Sequence, residues 1–294
     1  MNDAALQQWA DKATVIIRPS SLSMYADCPR RGAARLFWRE IKAAGFVLRR
    51  GVRGIGAIVG TAVHSAAEVV YTKKAKTGTT PKEYAAIDIT ITALEKGIAG
   101  DPVEYDGPRG VTHNRADALA QAVRMTRSYF RTVVPQVSPI LVEERLEAEV
   151  APGVVLSGQP DIVAREPNGV RDLKTGVRVG SHAPQIGAYS LLARAHGIEI
   201  DEAAIDWLPR VATGKPQPDP VSVKVRLAQA ETAAANIIRH MKSDLRTFRD
   251  GDPERRILPG DPWSFLANPS STLCSAKWCP AHGTDFCHEG KQHE

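Results

Sequence analysis

The sequence predicts an α/β fold in which a small mixed β-sheet is flanked by helices. Strand-like segments occupy 140–150, 162–164, 170–174, 203–209 and 221–225. Residues 166–169, Glu-Pro-Asn-Gly, predict a tight turn between the second and third of these segments, because proline fixes φ and Asn-Gly tolerates positive φ. Stretches with apolar residues at helical spacing lie at 81–98, 114–134 and 227–249.

The composition is typical of a soluble globular protein. The 294 residues are 43% hydrophobic and 24% charged, enough to bury a substantial core. No apolar run reaches the length of a membrane span, and the first 20 residues lack a compact apolar core, so we expect a cytoplasmic protein without a signal peptide. The net charge of +5 permits a nucleic-acid partner but does not require one.

The N-terminal part of the chain is rich in basic residues. Residues 1–17 are interpreted as a peripheral extension. From 28 to 76 basic residues far outnumber acidic ones, so this segment either follows a phosphate backbone or forms solvated helix faces. Residues 51–56 are glycine-rich without the ending of a nucleotide-binding loop and predict a flexible loop near nucleic acid. The candidate DNA contacts are Arg30, Arg31 and Arg53.

A helical insertion is predicted between about 60 and 135, with a surface loop at 100–114. Its first helix is expected to run from Gly60 to about Lys74. His64 and Glu68 are four residues apart and share a face of that helix. A lone helical histidine is more often structural than a ligand, so its spacing alone leaves the role of His64 open.

The segment from Asp161 to Lys174 has the composition of a catalytic site. Asp172 and Lys174 share one strand face, Leu173 faces the core, and Asp161 can lie beside Asp172. Paired carboxylates can hold Mg²⁺ or Mn²⁺, which activates water for phosphodiester hydrolysis, and a lysine can orient the water or offset charge in the transition state. The alternative is an ordinary Asp–Lys pair on a solvated strand face.

These residues resemble a known nuclease motif. Pro160-Asp161, Asp172-Leu173-Lys174 and Gln185-x-x-x-Tyr189 are similar to the motifs of the PD-(D/E)xK nuclease superfamily, and the last is similar to an element of its RecB-like branch. The resemblance implies a restriction-endonuclease-like sheet, metal binding by both aspartates and by the Leu173 carbonyl, and a catalytic Lys174. It also implies that Gln185 and Tyr189 support the site and that Gln185 contacts DNA.

Two further residues enter through the same resemblance. Gly60-Thr61-x-x-His64 is similar to the Gly-x-x-x-His element that RecB-like nucleases place beside the metal, which implies that His64 is a ligand or phosphate contact. An acidic residue on the preceding strand often assists the metal, and Glu143 matches best. Glu143 and Glu144 should face opposite sides, so one of them contributes, and both could instead face solvent.

The cysteines are Cys28, Cys274, Cys279 and Cys287, three of them in a tail rich in glycine and proline. A cytosolic protein seldom carries structural disulfides, so one four-thiolate site is expected, which zinc or a [4Fe–4S] cluster could occupy. His282 and His288 are possible substitutes in a zinc site. The arrangement resembles the cluster of RecB-like exonucleases such as the AddB nuclease domain and CRISPR-associated RecB-like nucleases, where it joins the N-terminal motif to the C-terminal tail.

Together these features predict one RecB-like nuclease domain from 18 to 294, with a core at about 136–250 and a cluster-bearing tail at about 251–294. The expected activity is metal-dependent DNA cleavage, most readily exonucleolytic, in recombination, repair or phage-type DNA processing. A recombination or helicase protein is a possible partner, and no membrane is expected. The alternatives are a non-catalytic DNA-binding or adaptor subunit and a zinc-stabilised interaction protein.

Overall fold

A computed structural model describes residues 15–100 and 102–288. The helices are α1 (Pro19–Asp27), α2 (Pro29–Leu36), α3 (Trp38–Ala43), α4 (Ile55–Thr77), α5 (Glu83–Gly100), α6 (Arg115–Thr132), α7 (Ala183–Ala195) and α8 (Leu227–Asp250). The strands are β1 (Val15–Ile17), β2 (Arg53–Gly54), β3 (Val103–Glu104), β4 (Ser138–Val142), β5 (Leu146–Ala151), β6 (Val154–Gly158), β7 (Ile162–Glu166), β8 (Asn168–Gly176), β9 (Glu202–Pro209) and β10 (Val221–Val225). Most of the predicted N-terminal extension and the last six residues of the tail lie outside the described residues.

The central sheet has the strand order β10-β9-β8-β7-β4. β7 and β8 form the predicted antiparallel hairpin, whereas β8 and β9 run parallel and are connected through α7. β10 and β4 add antiparallel edges. The sheet is therefore mixed, and the predicted α/β fold of the restriction-endonuclease-like type is confirmed.

Helices cover both faces of this sheet. Val163 packs into a core with α1, α7 and α8, while its neighbours Ile162 and Ala164 pack into a second core with α4, α5 and α6. This division follows from the alternation of side chains along a strand. The helical insertion thus forms one layer of the sandwich, and its first helix lies directly over the central strands.

The predicted strand at 140–150 is interrupted. β4 belongs to the central sheet, but β5 belongs to a second sheet of order β1-β6-β5. The break lies at Glu143, whose φ of 48° is left-handed and cannot continue a strand. β1 pairs with β6 in this second sheet, so Val15–Ile17, predicted to be peripheral, is part of the fold.

Helix α4 begins earlier than predicted. It starts at Ile55 rather than Gly60, because Ile55, Ile58 and Val59 are buried and extend its apolar face. The predicted flexible loop at 51–56 is therefore wrong in part, since Arg53–Gly54 pairs with β3 and Gly56 is helical. Gly60 permits a close approach to β8, since a β-carbon there would lie 2.5 Å from Oγ1 of Thr175.

Among the described residues, α4 is also the helix whose length and apolar composition would suit a membrane span. Half of that stretch is buried inside the protein, where it contacts α5, α6 and β4. Burial against other elements is typical of a core helix of a soluble protein and explains the apolar composition without a membrane.

Candidate active site

The β7–β8 hairpin places the three motif residues side by side. Asp161 directly precedes β7, and its Oδ2 accepts a hydrogen bond of 2.7 Å from the backbone N–H of Leu173 on β8. Asp172 is completely buried, and its Oδ2 lies 2.6 Å from Nζ of the partly exposed Lys174. The pairing register of the β7–β8 hairpin is therefore enough to bring Asp161, Asp172 and Lys174 together.

Two other parts of the chain bring side chains to Asp161. Nδ1 of His64, on α4, lies 3.5 Å from Asp161 Oδ2. Within the described chain, His64, Glu143 and Asp161 form a group whose potential ligand atoms all lie within 4.8 Å of one another. Carboxylate oxygens with one imidazole nitrogen suit a divalent cation such as Mn²⁺ or Mg²⁺. The donor set therefore fits the expected metal.

Glu143 reaches the group through its unusual backbone conformation. Its N–H donates a 3.2 Å hydrogen bond to the carbonyl of Asp161, and its own carbonyl accepts one of 2.5 Å from Nε2 of Gln159. A non-glycine residue in the left-handed region is strained by roughly 1–3 kcal/mol and persists only where its surroundings hold it. Both hydrogen bonds supply that support.

The carboxyl groups of the site lie so close together that ionising all of them at once is unfavourable. Burial and then the charge of Asp161 raise the pKa of Asp172 to about 7 and that of Glu143 to about 7. Burial also opposes ionisation of Asp161, but the charge and hydrogen bond of His64, with Lys174, hold the pKa of Asp161 below its usual value. A bound cation would relieve this repulsion.

Gln185 and Tyr189 lie beneath Asp172. Gln185 Nε2 donates to Oδ1 of Asp172 and to the hydroxyl oxygen of Tyr189, each over 3.2 Å. Their spacing of four residues puts both on one face of α7. Both side chains are buried, so Gln185 presents little surface to DNA in this structure. Its position suits support of Asp172, and its predicted contact with DNA stays a prediction.

A cavity of about 460 Å³ opens beside Lys174. It lies between the first turns of α4 and the end of β8, and its lining residues are Gly56, Ala57, Gly60, Thr61, His64, Lys174 and Thr175. The small side chains of α4 leave room there for a substrate next to the lysine and the histidine.

His182 was not identified from the sequence. It directly precedes α7, and burial, with the charge of Lys174, lowers the pKa of His182 to about 4. A neutral imidazole near Lys174 can accept or donate a hydrogen bond at the site. A lone histidine in the loop 177–182 gave no motif by which to find it.

Two of the three predicted DNA-binding arginines are buried. Arg30 donates from Nε to the carbonyl of Phe265 over 3.0 Å and stacks on Trp263, while Arg31 pairs with Asp27 at 2.7 Å. Both are 3% exposed, so they join α2 to its neighbours and are not available to a phosphate backbone. Arg53 is exposed, and its role stays a prediction.

The four cysteines line one cavity together with His282. Cys28 separates α1 from α2, and the other three come from the tail. Burial raises the pKa of the Cys279 thiol to about 11, although backbone N–H groups of Ala281 and His282 act in the opposite direction. Converging thiols with N–H groups aimed at a sulfur are features of metal–thiolate sites.

The chain matches the family model of the PD-(D/E)XK nuclease superfamily over residues 17–284. Among solved structures, it is similar to a protein from Eubacterium rectale that is provisionally named an exonuclease, with a TM-score of 0.50 and 14% identity over 88% of this chain and 94% of that chain. At this identity the likeness shows the fold alone. No curated protein matches the chain.

Proposed function

Because the chain belongs to the PD-(D/E)XK nuclease superfamily, we propose that it is a metal-dependent deoxyribonuclease, acting as an exonuclease in DNA recombination, repair or phage-type DNA processing. The observation that carries the proposal is the convergence of His64, Glu143 and Asp161 beside the buried Asp172–Lys174 pair. The exonuclease name of the E. rectale protein agrees with this mode of action.

We assign the cation to His64, Asp161, Glu143 and Asp172, with the carbonyl of Leu173. The chemistry that a cation would supply there is polarisation of the phosphate and a lower pKa for a bound water molecule. Oδ2 of Asp172 already faces the Lys174 ammonium at 2.6 Å, so a cation held at this oxygen would compete with that ion pair. Coordination by Asp172 would therefore leave the Lys174 ammonium freer to contact the substrate.

The Lys174 ammonium then has a catalytic task. It can donate hydrogen bonds to the attacking water or to a phosphate oxygen as negative charge develops in the transition state. The water oxygen forms the new bond to phosphorus as the bond from phosphorus to the sugar oxygen breaks. The attacking water loses one proton to solvent and the leaving sugar oxygen takes one up, so the step is balanced in protons. Gln185 and Tyr189 keep the Asp172 carboxylate oriented throughout, since Gln185 holds Oδ1 and not the oxygen that faces Lys174.

For the four cysteines we propose a [4Fe–4S] cluster, and with it that the chain belongs to the RecB-like, AddB-like branch. The four cysteines line one cavity, and a four-thiolate site can hold such a cluster or, as the alternative, a zinc ion. Its role is structural, because hydrolysis transfers no electrons.

We also propose that residues 18–294 form one nuclease domain. In support, the helical insertion shares its core with the central sheet through Ile162, Ala164 and Leu173. The tail returns to α1 and α2, so the cysteine site joins the two ends of this domain. We propose a cytoplasmic protein that acts on DNA ends, with a helicase or recombination protein as a possible partner.

The test is digestion of end-labelled single- and double-stranded DNA with Mg²⁺ or Mn²⁺. Wild type is compared with Lys174→Ala and with a matched control, Lys224→Ala, which removes an exposed lysine of β10 paired only at the surface with Glu202. Metal-dependent cleavage lost in Lys174→Ala and kept in Lys224→Ala supports the proposal. DNA binding without cleavage by cluster-replete wild type would overturn it in favour of an adaptor subunit. One bound zinc without cleavage would favour an interaction protein.

A further inference from the structure

An exposed tryptophan stands in the tail between two of the cysteines. Trp278 directly precedes Cys279, and its side chain is 42% exposed. Its carbonyl accepts a 3.0 Å hydrogen bond from Nη2 of Arg35 on α2. Indole rings usually bury most of their surface, so one that is held in place yet open to solvent indicates a contact surface.

Trp278 lies at the beginning of the helix that lines the active-site cavity. A β-carbon built on Gly54, the residue directly before α4, would lie 3.9 Å from Cη2 of Trp278. Lys277, the residue before Trp278, forms an ion pair of 2.7 Å between its Nζ and Glu104 of β3. The segment that carries Trp278 therefore contacts both strands of the β2–β3 pair, at Gly54 and at Glu104.

The distance from Trp278 to the metal ligands can be estimated along α4. Gly54 and His64 are ten residues apart, which corresponds to about 15 Å at the helical rise of about 1.5 Å per residue. At about 3.4 Å per stacked nucleotide, this distance spans about four nucleotides, and fewer in a stretched strand. Gly56, Ala57 and Gly60 line the cavity between these two points.

The surroundings of Trp278 carry positive charge. Arg53 is exposed on β2, next to Gly54. The exposed Arg49 donates its backbone N–H to the carbonyl of Pro280, two residues beyond Trp278, over 2.8 Å. The ammonium of Lys277 lies 5.1 Å from the centroid of the indole, although Glu104 offsets its charge. Aromatic rings among basic residues are the features by which proteins bind unpaired strands.

We propose that Trp278 is a base-stacking residue that binds an unpaired base of the substrate strand, within about four nucleotides of the bond that is cut. This inference rests on the proposed nuclease function and adds a strand specificity to it. A base inside a duplex has no free face for the indole, so Trp278 favours single strands and unpaired overhangs. Because Cys279 directly follows Trp278, an occupied cysteine site would also hold Trp278 in position for stacking.

The first experiment measures binding by fluorescence anisotropy with labelled single-stranded and blunt duplex oligonucleotides, without added divalent cation so that nothing is cut. Trp278→Ala should weaken single-strand binding roughly 5- to 100-fold, as expected for one lost stacking contact. Duplex binding should change little, and Trp278→Phe should restore most of the affinity. Tyr84→Ala is the matched control, since Tyr84 is 68% exposed on α5, which follows the opposite end of α4.

The second experiment removes bases instead of the ring. A series of oligonucleotides with one abasic position each is cut by wild type, and one position within about four nucleotides of the cut should slow cleavage at limiting substrate. That abasic position should have no further effect in Trp278→Ala. Equal cleavage of the whole series by wild type would overturn the inference even if Trp278→Ala does not fold. Absence of any cleavage would overturn the nuclease proposal itself, so the two failures are distinguishable.

Discussion

The imidazole of His64 lies 3.5 Å, from Nδ1 to Oδ2, from the carboxylate of Asp161. This contact joins α4, on one face of the sheet, to the start of β7 within it. Asp161 also accepts the Leu173 N–H through the same oxygen. One carboxylate oxygen therefore connects the helical layer, the hairpin and the candidate metal group.

Asp161→Asn should reduce metal-dependent cleavage by at least about 100-fold, more than the 10- to 100-fold typical of groups that only orient a ligand. Asparagine keeps an oxygen for the Leu173 N–H but removes the charge that holds the cation. Cleavage rates and Mn²⁺ titration by calorimetry check both effects. Unchanged Mn²⁺ affinity would contradict the assignment of Asp161 as a ligand.

Gln185→Ala should lower kcat about 10- to 100-fold with little change in DNA affinity, because the buried amide orients Asp172 and does not reach the surface. Tyr189→Phe is the matched comparison. It removes the hydroxyl that Gln185 contacts but leaves the amide on Asp172, so its effect should be smaller. A large loss of DNA affinity in Gln185→Ala would support the predicted DNA contact.

Glu143→Gly should stabilise the protein and inactivate it. Glycine adopts a φ of 48° without strain, so unfolding should become less favourable by roughly 1 kcal/mol, or about 2–4 °C in Tm. Glu143→Gln keeps the strain and the size of the side chain but not the charge. It should lose activity, and at pH 5.5, where the raised pKa of about 7 keeps Glu143 itself protonated, its Tm should match that of wild type. Equal melting temperatures for both variants would contradict the strain argument.

Site residues whose placement depends on local periodicity lie where the sequence predicts them. Asp172 and Lys174 lie on one side of β8, and the turn at 166–169 produces the hairpin, because alternation and turn preference act within a few residues. The predicted α/β fold, a mixed sheet flanked by helices, is also confirmed. Its strands and helices could be predicted because each follows from a local side-chain pattern. The catalytic roles of these residues stay predictions.

Features that depend on distant contacts were not predictable. Arg30 and Arg31 were interpreted as surface cations, but the tail folds over Arg30 from residue 265 and covers both. Nothing near residue 30 in the sequence indicates that contact. The break at Glu143 also has no local signal, since no glycine or proline lies beside Glu143. It is held instead by Gln159 and Asp161, in the segment between β6 and β7.

Metal ions should stabilise the protein more at pH 8 than at pH 5.5. The folded-state pKa values of Glu143 and Asp172, about 7, lie above their ordinary values. Stability from the protonated groups is therefore present below about pH 4 and lost as pH rises through about 7. At pH 8 both groups are charged and repel Asp161, and Mn²⁺ or Mg²⁺ relieves this repulsion.

The measurement is Tm with and without Mn²⁺ at the two pH values, in wild type and Glu143→Gln. The rise in Tm should be larger at pH 8 in wild type, and smaller in the variant. A rise at pH 5.5 that equals the rise at pH 8 would show that protons and cations do not compete for these carboxylates.

Cys279→Ala should cost both metal and stability. The buried Cys279 shares its cavity with Cys28, which is distant in sequence, so a cluster there would link the N-terminal helices to the C-terminal tail. The free energy of binding a structural metal contributes directly to the free energy of folding, so its loss should lower Tm by roughly 10 °C or more.

The measurement uses protein purified without oxygen, which is assayed for iron, sulfide, zinc and Tm. The exposed Thr272→Ala is the control. Iron with equimolar sulfide in wild type and the control, but not in Cys279→Ala, supports the cluster. Zinc in place of iron would overturn it, and unchanged metal content and Tm in Cys279→Ala would remove Cys279 from the site.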